Sequence, residues 1–146
     1  LLFARDPGGV NVVAPLVSAL TLAGQEVSLY GKDVALSRFK NYQLDPINIK
    51  DEINKISVDD LTSFLKRISP DVVITGTGAD DMTEKLIWKS CKALRIKSYA
   101  ILDQWVNYGI RFSRWGVDEI EVFEIEKKLI FSLIKSSLWM ILLKLK

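Results

Sequence analysis

Three stretches of the chain carry residue types and spacings that could do chemistry. The first is Asp6-Pro7-Gly8-Gly9-Val10-Asn11. Its glycines let a backbone approach a ligand closely, and the helix start beyond them offers N–H groups to an anion. Neither G-x-G-x-x-G nor G-K-[ST] occurs, so this is no dinucleotide fingerprint and no Walker loop. A tight strand–helix turn without a ligand accounts for the stretch equally well. The second stretch is Thr75–Asp81, where Gly76, Thr77 and Gly78 again permit close approach. Asp80 and Asp81 would repel phosphate there, but could accept hydrogen bonds from sugar hydroxyls or simply cap a helix. The third runs from Asp103 to Phe112, DQWVNYGIRF. Trp105, Asn107, Tyr108 and Arg111 combine rings, an amide and a guanidinium, which suits stacking on a sugar or base with Arg111 on a phosphate. The alternative is a long loop that packs its rings on the domain's edge.

What is missing narrows the chemistry further. The chain has no histidine, which excludes His-dependent triads, His general bases and His-ligated metals. Two adjacent aspartates without further ligands are poor metal chelators, so metal-independent chemistry is expected. The only cysteine, Cys91, allows no internal disulfide and fits a reducing compartment. A net charge of +2 gives no electrostatic footprint for nucleic acid.

The elements that would position these stretches follow from the hydrophobic pattern. Leu1–Ala4 reads as a buried strand, and residues 12–23 as a helix capped by Asn11, with Pro15 in its first turn. Val13, Leu16, Val17 and Leu20 share its apolar face, and Gly24 ends it. Residues 26–30 are a short strand, 33–40 a short helix and 47–49 a possible edge strand. Ser57 opens a helix whose apolar face is Val58, Leu61, Phe64, Leu65 and Ile68, stopped by Ser69-Pro70. Asp71–Thr75 is a continuous apolar run, the mark of a central strand. A helix over 82–94 follows, with Lys85, Lys89 and Lys92 on its solvated face. Then come strands at 96–102 and 119–123 and a helix over 124–136. Strand–helix units in succession predict one three-layer α/β Rossmann-like domain over residues 1–146, with a mainly parallel twisted sheet. Such sheets take ligands at the carboxyl ends of their strands, where all three stretches fall.

ARDPGGVNVVAPLVSAL, DVVITGTGADDMTEK and YAILDQWVNYGIRF together resemble the N-terminal half of GT-B-type glycosyltransferases. The likeness is to members that build bacterial polysaccharide or lipopolysaccharide, and to their sugar-nucleotide epimerase relatives. It covers about residues 1–123. It implies a domain that holds the acceptor, a sugar or lipid-linked sugar, facing a second domain that holds a nucleotide-sugar donor. The donor would be a co-substrate, with no further cofactor. The cleft positions it implies are Asp6, Gly8, Gly9, Asn11, Gly76, Thr77, Gly78, Asp103, Trp105, Asn107 and Arg111. Asp6 or Asp103 would serve as the base. No second Rossmann-like unit follows, so a donor-binding domain or subunit would come from elsewhere. A non-catalytic module binding a nucleotide or sugar phosphate is the alternative.

Residues 127–146, KKLIFSLIKSSLWMILLKLK, are dense in apolar residues with scattered lysines. The segment reads as a core helix and strand, as an interfacial amphipathic stretch, or as an atypical or truncated end from about residue 126. The interfacial reading would place a cytoplasmic protein at the inner face of a membrane. Because the chain opens directly in a strand without methionine, a few native residues are expected before Leu1.

Overall fold

The computed structural model describes residues 1–104 and 108–112. Five strands, β1 (Leu2–Ala4), β2 (Leu29–Gly31), β3 (Ile47–Asn48), β4 (Val72–Thr75) and β5 (Lys97–Ala100), form one sheet in the order β3-β2-β1-β4-β5. Every pairing is parallel. Five helices accompany them: α1 (Pro7–Leu22), α2 (Val34–Lys40), α3 (Val58–Ile68), α4 (Thr83–Leu94) and α5 (Tyr108–Phe112). A 3₁₀ turn, Ile49–Asp51, follows β3.

Strand β1 organises the layers, because successive side chains on a strand point to opposite faces. Leu2 and Ala4 join Val10, Val13 and Ala14 of α1 and Ala35 and Phe39 of α2 in one core. Phe3 points the other way, into a second core with Leu61, Phe64 and Leu65 of α3 and Ile87 and Cys91 of α4. Helices therefore cover both faces of a parallel sheet, the three-layer Rossmann-like architecture expected from the sequence. In the second core the rings of Tyr30 and Phe64 meet edge to face at 5.2 Å.

The helix ends carry the signals that stop and start them. Gly24, at φ +75°, follows α1, and the N–H groups of Gly24 and Gln25 donate to the carbonyls of Thr21 and Leu20. That pair of bonds is a Schellman cap. Ser57 Oγ accepts from the Asp60 N–H at 3.2 Å and caps α3, whose last turn carries Lys66 and Arg67 at the negative end of the helix dipole. Ser57→Ala should therefore cost about 1 kcal/mol. A lower urea midpoint with an unchanged m-value would register it.

Four expectations need correction. Helix α1 starts at Pro7, not after Asn11: Asp6 is its N-cap, with Oδ1 accepting from Gly9 N–H at 2.7 Å. Pro7 takes the first helical position, where a missing N–H is harmless. Pro15 consequently lies inside the helix, and it sits on the exposed side, where water can satisfy the carbonyl it leaves without a donor. Lys85 is buried, not solvated: its ammonium donates to the carbonyl of Ile110 at 2.7 Å, so α5 covers it. Finally, the strand expected over 96–102 shortens to Lys97–Ala100, all four of them exposed. The strand expected at 119–123 and the helix over 124–136 lie outside the described residues, as does the 127–146 segment.

Candidate functional site

The chain leaves β1 toward α1 on one side of the sheet and β4 toward α4 beside it. These two neighbouring strands are where the strand order reverses, and ligand crevices of doubly wound sheets open at such a point. Both connections are glycine-rich, and here they touch each other. A Cβ on Gly76 would stand 2.6 Å from the Cα of Gly9, and the Gly76 N–H donates to the Phe3 carbonyl at 3.0 Å. Gly9, Gly76, Thr77 and Gly78 are all buried at this seam.

The third stretch closes over the first two. A Cβ on Gly8 would fall 1.9 Å from Asp103 Oδ2, so the Asp103 carboxylate lies directly against the first turn of α1. Arg111 Nη1 holds that carboxylate at 2.8 Å and also donates to the carbonyl and, at 3.1 Å, the Oγ1 of Thr77. Helix α5 is further seated by Phe112, which stacks on Trp88 at 5.7 Å, while Trp88 Nε1 donates to Thr75 Oγ1 at 2.8 Å.

Of the residues the sequence singled out, Asp6, Gly8, Gly9, Gly76, Thr77, Gly78, Asp103 and Arg111 thus gather at one end of the sheet. Asn11 belongs to the second turn of α1 and is bonded through its amide oxygen to Arg38 at 3.3 Å and Tyr42 at 3.0 Å. Trp105 and Asn107 lie outside the described residues.

Several charged side chains at this end were not anticipated. Lys32, which follows β2 and is nearly buried, donates to Asp81 at 2.7 Å and Thr83 Oγ1 at 3.1 Å, with Asp33 at 3.5 Å. Arg5 pairs with Asp80 and lies 3.9 Å from Asp33, which Lys50 also holds at 2.7 Å. Burial would push the Asp81 carboxyl up, but bonds from Lys32 and Thr83 outweigh it and hold Asp81 below the usual carboxylate range. Asp33 is likewise held low, chiefly by Lys50.

Glu84, the second residue of α4, is the exception. It is 1% exposed, and among the described residues neither carboxylate oxygen is bonded by another residue. Burial is the main cause that raises its pKa from 4.5 to about 7; a bond from its own backbone N–H and the charge of Arg5 oppose the rise, and Asp6 and Asp81 add to it. A Cβ on Gly78 would stand 3.1 Å from Oε2, so the carboxyl is pressed against the loop after β4. Arg5 Nε is also buried and has no partner among the described residues. An acid in the first turn of a helix reads in the sequence as a response to the dipole, and only the fold shows that it is buried.

These arrangements decide what the crevice can receive. The start of α1 is already lined by the carboxylates of Asp6 and Asp103, which would oppose an incoming phosphate. Arg5, Lys32, Lys50 and Arg111 each already hold a carboxylate. A neutral ligand rich in hydroxyls meets no such opposition. Burial pushes the Cys91 thiol up to about 11, which removes it as a nucleophile. Among the described residues there is no group of three or more His, Cys, Asp or Glu placed to hold a metal ion, and no helix long and apolar enough to cross a membrane. A cavity of about 300 Å³ opens at the opposite end of the sheet, between Leu1, Leu20, Val27, Ile68 and Pro70. It adjoins the amino ends of β1 and β4, away from the glycine loops, and none of the chemistry above converges on it.

The fold and this crevice define a three-layer α/β, Rossmann-like domain. No family model, curated protein or solved structure matches the chain.

Proposed function

We propose that the chain binds a sugar at the crevice between the β1–α1 and β4–α4 connections, as the acceptor-side half of a GT-B-like glycosyltransferase. The reading rests on one observation above others: two glycine loops meet at the reversal of strand order, rimmed by carboxylates whose neighbouring cations are already engaged. Such a rim favours hydroxyl donors over phosphate. In this reading the acceptor is a free or lipid-linked sugar of cell-surface polysaccharide or glycolipid synthesis. A separate donor-binding domain or subunit completes the cleft and brings the nucleotide sugar. The contribution of this half is positional: it holds one acceptor hydroxyl toward the donor.

One observation favours the non-catalytic alternative. Asp6 caps α1 and Asp103 pairs with Arg111, so both candidate bases already serve the fold. A non-catalytic module binding a nucleotide or sugar phosphate would need neither to be available.

Saturation-transfer NMR of the full chain with free sugars, nucleotides and nucleotide sugars tests the reading. Transfer to at least one free sugar, reduced in Trp105→Ala, is expected. Transfer to nucleotides alone would overturn it in favour of a nucleotide-binding module.

A further inference from the structure

We infer that Glu84 is a ligand-binding carboxylate of this crevice, receiving a hydrogen bond from a hydroxyl of a bound neutral sugar. The inference deepens, and rests on, the sugar-binding reading above, but it requires no glycosyl transfer.

Its ground is the missing partners. A buried carboxylate without a hydrogen bond is costly, and native structures rarely leave one so. Glu84 is almost fully enclosed, and among the described residues no other residue bonds either of its oxygens, its own backbone N–H being the group that acts on the carboxylate; Arg5, which acts on it electrostatically, leaves Nε buried and unbonded as well. Among the described residues this end of the sheet therefore presents an acceptor that no other residue bonds and an unbonded donor whose charge acts on it. Three kinds of ligand group can be compared against that pair. An ammonium would satisfy Glu84, but it offers nothing to Arg5 and would face the positive charges of Arg5 and Lys32. A phosphate would satisfy Arg5, but it would meet Glu84, Asp6 and Asp81. A hydroxyl both donates and accepts, so adjacent hydroxyls of one sugar can serve both atoms without adding charge. Gly78 is part of the same arrangement. Its missing side chain leaves the loop backbone close to Oε2, where any Cβ would press on the carboxyl.

The surrounding charges set how such a site responds to pH. Arg5 and Asp6 act on Glu84 from the β1–α1 connection, Asp81 from the loop before α4, and Lys85 from the next position of α4. Asp81 is held ionised by Lys32. Glu84 is then the carboxyl of this cluster whose charge changes near neutrality. A hydroxyl donates better to a carboxylate than to a carboxylic acid, so binding should favour the ionised form.

The test titrates glucose, galactose, mannose and N-acetylglucosamine into the full wild-type chain and Glu84→Gln at pH 5.5 and pH 8.5. The Glu84 carboxyl ¹³C resonance is followed in the wild type. At least one sugar is expected to bind about tenfold more tightly at pH 8.5 and to lower the carboxyl midpoint by about one pH unit, since a unit of pKa is a factor of ten. Glu84→Gln should bind that sugar with the low-pH affinity at both values. If a sugar binds both proteins equally and leaves the resonance unmoved, the role of Glu84 is overturned and the sugar-binding reading stands. If none of the four sugars binds and the carboxyl titrates identically with and without them, both fall. Should Glu84→Gln not fold, the wild-type carboxyl titration decides alone.

Discussion

Gly76→Ala should be among the most damaging single-methyl changes in this protein, costing about 3 kcal/mol and lowering the melting temperature by about 10 °C. The added Cβ would stand 2.6 Å from the Cα of Gly9, and both positions are main chain. Nothing flexible can yield. The two loops can separate only by disturbing the β1–β4 ladder, where Leu2 pairs with Ile74 and Phe3 with Thr75, or the bond from Gly76 N–H to the Phe3 carbonyl. Two other glycines isolate the cause. Gly109→Ala meets nothing within 4 Å and should leave stability unchanged or slightly higher. Gly8→Ala has the shorter contact, 1.9 Å, but with a side-chain oxygen of Asp103. That carboxylate can swing away at the expense of its bond to Arg111, so Gly8→Ala should cost less than Gly76→Ala despite the closer approach. Thermal denaturation of the three variants checks the order. A Gly76→Ala protein as stable as Gly109→Ala would mean that the two loops are not in contact.

The comparison also shows which kinds of information a sequence exposes. Val72–Thr75 was legible because an apolar run ended by Gly76 has few readings other than a central strand. The α3 cap was legible because Ser57 and Asp60 sit three apart at the head of a strongly periodic segment. Local chemistry of that kind survives into the fold. The start of α1 was hidden, although Asp6 before Pro7 is a helix-opening pair, because Gly8 and Gly9 next to it read as a turn. The two glycine loops were recognisable as places of close backbone approach. That they approach each other depends on β1 lying beside β4, seventy residues away, which no local pattern encodes. Lys85 and Glu84 fail for the same reason. Lysines at 85, 89 and 92 repeat like a solvated face, but α5 returns to cover the first of them. Glu84 looks like an ordinary first-turn acid, and its burial comes from packing between elements remote in sequence. The sheet could be read off periodicity, then, whereas the group with the most perturbed acidity in the crevice could not.

That perturbed acidity gives the second large effect. The wild-type protein should lose stability between pH 4.5 and about pH 7 through Glu84, by an amount approaching 3 kcal/mol. The direction is opposite to that of most carboxylates. Below pH 4.5 the side chain is protonated in both folded and unfolded chains and contributes no slope. Above 4.5 the unfolded chain ionises while the folded protein keeps its proton, so unfolding releases a proton and is favoured as pH rises. Past about 7 both states are ionised and the full penalty of the buried charge remains. Glu84→Gln removes this titration. Its amide is still buried without partners, which costs about 1 kcal/mol. The variant should therefore be slightly weaker than wild type at pH 4.5 and stronger by about 2 kcal/mol at pH 8. Urea unfolding at the two values measures the crossing. The chain has no histidine to blur this window. Parallel pH profiles would mean that Glu84 is solvated or paired in the folded state. A saturating sugar adds a further constraint: if it bonds the carboxylate, it lowers the folded-state pKa toward 4.5. The wild-type slope should then flatten while that of Glu84→Gln does not change.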